Sequence, residues 1–212
     1  MIEVVIWDFN GTLLDDFDLC LGIINQMLQR RSLPVLSAEE YLENFSFPVI
    51  HYYRKVGFDF EVESYQSLAE EYMAAYQPAS FDCPLRNRAI ELLSSLQTQG
   101  VRQILLSATK IEFLLEQTGH FGLNRFFDEI IGMGDILGKS KLEAAANWVA
   151  GQILEPENTL LIGDTIHDYE VAQALKCKCL LLTGGHNSAA RLLATGVQVS
   201  DNLDDVMQLF GA

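Results

Sequence analysis

The stretch that decides the fold is Val4-Val5-Ile6-Trp7-Asp8-Phe9-Asn10-Gly11-Thr12, near the start of the 212-residue chain. Its first four residues form a continuous apolar run, which is typical of a strand buried on both faces of a parallel sheet. A carboxylate follows directly at Asp8, and Gly11 permits the chain to turn. Because ligands of such sheets bind beyond the carboxyl ends of the strands, the stretch predicts a core strand that leads into a ligand site.

Further apolar runs repeat this pattern along the chain. They predict strands at 103–106, 127–131, 159–162 and 179–182, and a weaker one at 197–199. Helical patterns separate the runs, including one with Pro84 in its first turn and Gly100 just past its end, and others at 164–175 and 188–195. Ser140 with Glu143 predicts a capping box at the start of a further helix. The alternation predicts an α/β fold with a doubly wound parallel sheet, a Rossmann-like core.

Residues 15–83 break the alternation, because they contain helical periodicity and no convincing strand. Apolar side chains at 17, 21, 24 and 28 share one helix face, Ser37 with Glu40 predicts a capped helix start, and residues 65–76 mark a further helix. We therefore predict an α/β core formed by residues 1–14 and 84–212, with residues 15–83 inserted as a small helical bundle.

The composition excludes several classes of partner. The formal net charge is -15 and no basic run occurs, so nucleic acid and anionic membranes are not expected to bind. No apolar stretch approaches the roughly 18 residues of a membrane span, and the first residues lack the basic start of a signal peptide, so a cytoplasmic location is expected. The spacing of Cys177 and Cys179 does not match zinc sites, which indicates that the four cysteines are reduced packing thiols.

A second strand end carries two carboxylates, Asp164 and Asp168, four residues apart and able to share one helix face. Converging hard oxygen ligands suit Mg²⁺, and an ionised Asp8 beside such a cation can attack phosphorus to give an aspartyl phosphate. The structural alternatives are a turn or cap role for Asp8 and an acidic helix start favoured by the helix dipole for the other two.

Two further segments carry polar groups that fit phosphate chemistry. Ser107 follows the second predicted strand, where its hydroxyl and neighbouring backbone N–H groups could hold a phosphate oxygen. Lys139 and Lys141, before a predicted helix, offer an ammonium that would neutralise Asp8 and phosphate. The alternatives are a helix N-cap for the serine and ordinary solvated side chains for the lysines.

Four segments, taken in order, resemble the motif set of the haloacid dehalogenase superfamily. They are the Asp8 loop, the strand-end Ser107, the lysine segment and Gly163-Asp164 with Asp168. The resemblance is to its phosphoglycolate phosphatase and β-phosphoglucomutase branch, in which an α-helical cap lies between the first two motifs. It implies that Asp8 is the nucleophile and a metal ligand, with the backbone carbonyl of Asn10 as another ligand. It also implies that Asp164 binds Mg²⁺ directly and that Asp168 orients the ion, through water or by holding the lysine.

The same resemblance implies a phosphate site and a catalytic lysine. The expected phosphate-binding residues are Gly11, Thr12, Ser107 and Ala108. Both Lys139 and Lys141 are admissible as the motif lysine, because the spacing to Gly163-Asp164 varies among family branches. Lys141 is slightly favoured, since Ser-Lys directly at a helix start is one common form.

Asn10 departs from the family pattern, which usually has a second aspartate there as general acid and base. An amide cannot transfer that proton, and such transfer typically contributes about 10²- to 10⁴-fold in rate. His167 and His186 are candidate substitutes, and a structural or exposed imidazole is the alternative for each. The sequence leaves open whether Asn10 is natural or engineered.

The function implied by the resemblance is Mg²⁺-dependent hydrolysis of a small organic phosphate monoester through Asp8. A phosphotransferase or mutase, favoured by Asn10, and a catalytically impaired phosphate-ligand-binding protein are the alternatives. The segment 45–54 offers aromatic walls and one cation, Arg54, for substrate recognition, although packing of the bundle explains the rings equally well. Residues 184–187 either border the pocket or form a tight turn, and no oligomeric state is predicted.

Overall fold

The computed structural model describes residues 1–138, 141–151 and 155–210. Within these ranges six strands form one parallel sheet in the order β3-β2-β1-β4-β5-β6. The strands are β1 (Val4–Trp7), β2 (Arg102–Lys110), β3 (Glu129–Met133), β4 (Thr159–Gly163), β5 (Lys178–Leu182) and β6 (Gln198–Ser200). The order reverses between β1 and β4, which creates a crevice at the carboxyl ends of the central strands.

Ten α-helices and two short 3₁₀ helices, Asn124–Phe126 and Pro156–Asn158, complete the described part of the chain. The α-helices are α1 (Phe17–Arg30), α2 (Ala38–Asn44), α3 (Val49–Lys55), α4 (Tyr65–Ser80), α5 (Ala89–Thr98), α6 (Ile111–His120), α7 (Leu142–Ala150), α8 (Ile166–Leu175), α9 (Ala189–Leu193) and α10 (Leu203–Leu209). The predicted α/β fold with a doubly wound parallel sheet is confirmed. The strand predictions are close for β1, β4, β5 and β6. By contrast, β2 continues four residues past its predicted end, so Ser107 lies within the strand, and β3 begins and ends two residues later than predicted.

The sheet is buried on both faces, as the continuous apolar runs predict. Val5 and Trp7 of β1 lie in one hydrophobic layer with the apolar faces of α5 and α10, whereas Ile6 packs in the other with α7 and α8. This alternation follows from the strand geometry, because successive side chains point to opposite faces.

The first four helices form a separate hydrophobic cluster that contains no β-strand. Ser37 accepts a hydrogen bond from the Glu40 N–H while the Glu40 carboxylate accepts from the Ser37 N–H, so the predicted capping box is present. In α1 the buried face runs through Cys20, Ile24 and Leu28, whereas Phe17 and Leu21 pack only partly buried at its edge.

The predicted start of α5 is wrong, because the helix begins at Ala89 and Pro84 precedes it. The Pro84 carbonyl accepts from the Asp15 N–H at 2.9 Å, and Leu85 pairs with Leu14 in an antiparallel bridge. The two segments that connect the core with the helical bundle therefore lie side by side, and their pairing holds residues 84–86 extended. Gly100 does follow the helix end, with a φ of +76°.

The helix predicted from residue 164 begins later than expected. Asp164 precedes α8 rather than belonging to it, so Asp164 and Asp168 do not share a helix face. Thr165 is the N-cap, and it forms a capping box with Asp168. The predicted capping box of Ser140 with Glu143 lies outside the described residues, because Ser140 falls in the gap before α7.

Candidate active site

The carboxyl ends of β1, β2 and β4 meet at the crevice and bring the predicted site residues together. Asp8 follows β1, Ser107 lies in the last part of β2 and Asp164 follows β4. Carboxylate oxygens of Asp8, Asp164 and Asp168 lie within 4.8 Å of one another. Residues more than 150 positions apart in the chain thus converge because neighbouring parallel strands end at the same edge of the sheet.

Lys141 supplies the ammonium of this cluster. Its Nζ donates to Asp8 Oδ1 at 2.5 Å, and it lies 2.5 Å from Asp168 Oδ1 and 3.4 Å from the Leu106 carbonyl. Burial opposes the charged form, but the two carboxylates prevail and raise the pKa of Lys141. Lys141, which the sequence slightly favours as the motif lysine, thus lies between two carboxylates. Lys139 lies outside the described residues.

Asp8 differs from the other two carboxylates in its surroundings. It is 8% exposed and lines a cavity that extends into the helical bundle, whereas Asp164 and Asp168 are both 0% exposed and are not among the residues that line this cavity. Burial raises the pKa of Asp8, and the neighbouring carboxylates add to that effect while Lys141 opposes it. Three carboxylates thus face one ammonium, an excess of negative charge that favours a bound cation.

Asp164 is held by hydrogen bonds to two loops. The Thr12 hydroxyl donates to Oδ1 and the His186 backbone N–H donates to Oδ2, both at 2.7 Å. A Cβ at Gly11 would come within 2.4 Å of Asp164 Oδ2, and one at Gly185 within 2.2 Å, so both positions need glycine for this close approach. The glycine-rich loop 184–187 therefore borders the site.

Asp168 lies in the first turn of α8, the acidic helix start that the sequence left as an alternative, and it also contacts Lys141. Its Oδ2 accepts from the Thr165 N–H at 2.9 Å and from the Thr165 hydroxyl at 2.6 Å. Burial raises the pKa of a carboxyl, but Lys141 and the hydrogen bonds outweigh it and lower the pKa of Asp168. The carboxylate therefore fixes the loop after β4 and positions the lysine.

The Asn10 amide is locked in a buried network. Its Nδ2 donates to Asp16 Oδ2 at 2.9 Å and to the Tyr76 hydroxyl at 2.6 Å, and its Oδ1 accepts from Thr109 Oγ1 at 2.9 Å. Tyr76 in turn donates to Asp16 Oδ2 at 2.6 Å. Sequence reasoning missed Asp16 and Tyr76, because a helix N-cap position and a helical tyrosine carry no local mark of this contact.

The two candidate histidines have different surroundings. His167 Nε2 accepts from the Lys141 backbone N–H at 3.0 Å, and its Nδ1 lies 3.0 Å from Glu170 Oε2, so its ring anchors the lysine. His186 lines the cavity, with Nε2 3.2 Å from Asp16 Oδ1 and Nδ1 3.0 Å from the Tyr41 hydroxyl. Burial opposes the charged imidazolium, but Asp16 prevails and raises the pKa of His186 to about 9.

The expected phosphate-binding residues fall into two groups. Ser107 and Ala108 line the cavity with Asp8. By contrast, the Gly11 N–H donates to Asp16 Oδ1 and to the Leu14 carbonyl, both at 2.9 Å, while the Thr12 hydroxyl donates to Asp164. In this structure Gly11 and Thr12 therefore shape the loop around the acidic cluster.

A cavity of about 150 Å³ extends from Asp8 into the helical bundle. Its wall includes aromatic side chains of the predicted recognition segment, namely Phe45, Phe47, Tyr52 and Tyr53. Arg54 is exposed instead, with its guanidinium 5.3 Å from the centre of the Phe60 ring. The expected cation of this segment is therefore absent from the described cavity wall.

Hydrogen bonds close the bundle over the core on more than one side of the cavity. Arg191 donates to the backbone carbonyls of Leu42 at 2.7 Å and Phe45 at 2.9 Å. On another side the Tyr65 hydroxyl donates to the Leu137 carbonyl at 2.5 Å. The helical bundle thus covers the acidic cluster as a lid.

A parallel α/β sheet with an acidic cluster at its carboxyl edge and a helical lid defines a class of capped hydrolytic enzymes. The chain belongs to the haloacid dehalogenase-like hydrolase family, whose sequence profile matches residues 5–182. The family predicted from the motifs is thereby confirmed. No helix of the described ranges combines the length and apolarity needed to cross a membrane.

Individual relatives are distant in sequence but similar over nearly the whole chain. The phosphoglycolate phosphatase of Pectobacterium atrosepticum is 25% identical over 217 residues, covering 99% of this chain and 93% of that protein. The crystal structure of a predicted phosphatase from Clostridium acetobutylicum has a TM-score of 0.82 at 19% identity, covering 99% and 98%. The protein tyrosine kinase A of Mycobacterium tuberculosis has a TM-score of 0.80 at 23% identity, covering 100% and 99%.

Proposed function

We propose that this protein is a Mg²⁺-dependent phosphatase that hydrolyses small organic phosphate monoesters through an aspartyl phosphate on Asp8. The observation that carries the proposal is the position of Asp8, which combines membership of the buried acidic cluster with a place on the cavity wall. Asp164 and Asp168 have their oxygens engaged by loop donors and by Lys141, so Asp8 is the carboxylate best placed to meet a substrate.

The residues present fit a divalent cation. Three buried carboxylates within 4.8 Å of one another provide hard oxygen donors, and Lys141 alone does not balance their charge. Asp8 and Asp164 would hold the ion together with the Asn10 carbonyl, and Asp168 would orient the site by holding Lys141. When bound, Mg²⁺ supplies charge neutralisation at the phosphoryl group and favours the ionised form of Asp8.

The chain's own residues account for the remaining steps of the proposed reaction. An Asp8 oxygen attacks phosphorus, and the bond to the leaving oxygen breaks with its electron pair going to that oxygen. Ser107, the backbone around Ala108 and the Lys141 ammonium would bind the phosphoryl oxygens. A water oxygen then attacks phosphorus, the bond to Asp8 breaks, and the water proton passes to solvent. The lid of residues 15–83 would exclude other water during the first step.

The test is release of inorganic phosphate from acetyl phosphate and a panel of monoesters, with Mg²⁺ and with chelator. Asp8→Asn removes the nucleophile and should abolish release, while Asp164→Asn should weaken Mn²⁺ binding measured by calorimetry. Mass spectrometry of acid-quenched protein should find a phosphoryl group on the peptide that contains Asp8. Phosphate release that survives in the Asp8→Asn variant would overturn the mechanism.

A phosphotransferase is the second candidate, and the locked amide of Asn10 favours it. Because both of its amide protons are donated to Asp16 and Tyr76, Asn10 cannot activate water, and the aspartyl phosphate would persist for transfer to another alcohol. Glycerol or ethanol added as acceptor should then speed loss of the Asp8 phosphate and yield a new monoester. Unchanged loss of phosphate with acceptor would favour the hydrolase.

A further inference from the structure

The cavity that Asp8 lines has many aromatic rings in its wall. Six of the lining rings are Tyr41, Phe45, Phe47, Tyr52, Tyr53 and Tyr72. The Tyr41 and Phe45 rings stack at 5.4 Å, and Phe47 meets Phe45 edge to face at 5.4 Å. Phe45 also lies 5.2 Å from the His186 ring, so the wall reaches the core loop that borders Asp8. Such a surface contacts a flat apolar group through stacking and edge contacts.

The cations of this wall are already paired. Among the described cavity-lining residues the basic side chains are Lys110 and His186, besides Lys141 beneath Asp8. Lys110 Nζ lies 3.5 Å from the Glu112 carboxylate and 5.5 Å from the centre of the Phe113 ring, while His186 is paired with Asp16. A second anion on the substrate would therefore lose its hydration and have to compete with Glu112 or Asp16 for these cations, which opposes its binding.

The Asn10 side chain gives a second, independent indication of the substrate, because it determines which leaving groups can depart. Since the amide is held by Asp16, Tyr76 and Thr109, it cannot protonate the leaving oxygen. An alkoxide leaves poorly without that proton. A phenolate is a much weaker base, with a conjugate acid of pKa about 10, and leaves without a proton donor.

We propose that the substrates are aryl phosphate monoesters that carry no second negative charge, and that the aromatic lid cavity binds their ring. This inference rests on the proposed function and names its substrate class. An Asp8 oxygen attacks phosphorus, the P–O bond to the ring oxygen breaks, and the phenolate departs with the electron pair and takes a proton from water.

The experiment separates the cavity from the leaving group by using three monoesters and acetyl phosphate, each with Mg²⁺. Benzyl phosphate and phosphoglycolate both release an alcohol, so their ratio of kcat/KM reports ring binding against a second anion. We expect benzyl phosphate to be favoured at least about tenfold. Phenyl phosphate keeps the ring but releases a phenol, and we expect its kcat to exceed that of benzyl phosphate.

A matched pair of variants tests whether the cavity is responsible. Phe47→Leu keeps an apolar side chain in the wall but removes a ring, and should lower the benzyl to phosphoglycolate ratio. Phe60→Leu makes the same change in the same bundle at a ring that does not line the cavity, and should leave the ratio unchanged.

The outcomes distinguish this inference from the proposed function. Release of phosphate from acetyl phosphate, together with equal or greater kcat/KM for phosphoglycolate than for benzyl phosphate, would overturn the substrate class alone. An equal effect of the two phenylalanine variants on the ratio would also contradict it. Absence of Mg²⁺-dependent release from every compound would overturn the proposed function and this inference together.

Discussion

Replacing Asn10 by aspartate restores the residue that most of the family has there, yet the structure predicts that the change destabilises this protein. The Asn10 amide donates to Asp16 Oδ2 and to the Tyr76 hydroxyl, and Asp16 is 0% exposed. In Asn10→Asp a second carboxylate faces Asp16, and Tyr76 has one proton to donate to either group. Thr109 can still donate to the new side chain.

The magnitude follows from the groups left unpaired. Losing a hydrogen bond to a charged group costs about 1.5–3 kcal/mol, and leaving a buried charge uncompensated costs about 3–5 kcal/mol. We therefore expect Asn10→Asp to lower the free energy of unfolding by about 3–5 kcal/mol near neutral pH. Burial beside Asp16 raises the pKa of the new carboxyl above its unfolded value, so this loss appears as pH rises through the raised pKa and shrinks on acidification.

Urea unfolding of four proteins tests the reasoning: the parent, Asn10→Asp, Asp16→Asn and the double variant. In the double variant the acid and the amide exchange places, so the amide at position 16 can again donate, and the double-mutant cycle should show a favourable coupling of about 2 kcal/mol. Asn202→Asp is the control, because it makes the same change at an exposed helix N-cap where both residues are accepted. Parent-like stability of Asn10→Asp near neutral pH, or additive effects within about 0.5 kcal/mol, would refute the argument.

Three further predictions concern the acidic cluster around Lys141 and the network around Asp16. Lys141→Met should lower the free energy of unfolding by about 3–5 kcal/mol near neutral pH, because Asp8 and Asp168 lose their shared ammonium. Added Mg²⁺ should restore part of the lost free energy of unfolding. A metal-free Lys141→Met variant that unfolds at the same urea concentration as the metal-free parent would contradict the prediction. Tyr76→Phe should cost about 1.5–3 kcal/mol, whereas Tyr52→Phe, which removes a buried hydroxyl without a described partner, should cost nothing measurable. Finally, the pKa of His186 in the folded protein is raised from 6.5 to about 9. The stabilisation that its charged imidazolium gives the folded state is therefore complete below pH 6.5 and is lost as pH rises towards 9. The free energy of unfolding of the chelator-treated protein should fall across that window, and a His186→Gln variant that keeps the same fall would show that other groups cause it.

The amino-acid sequence by itself determined the layers of the core. Continuous apolar runs such as 4–7 and 160–162 favour strands buried on both faces, and the helical patterns between them favour parallel crossovers. Parallel strands end at one edge, which is why the sequence could also predict that Asp8, Ser107 and Asp164 come together. These inferences succeed because strand and helix periodicity are local properties of the chain.

Only the tertiary structure decided how the site is completed. It showed that Pro84 precedes α5, because residues 84–86 pair with the connector that leaves β1, and that Arg54 lies on the surface. It also joined Asn10 to Asp16 and Tyr76, and Asp16 to His186, a residue 170 positions away. A hydrogen bond across such a separation forms only when two packed units meet, so no local pattern of residues encodes it.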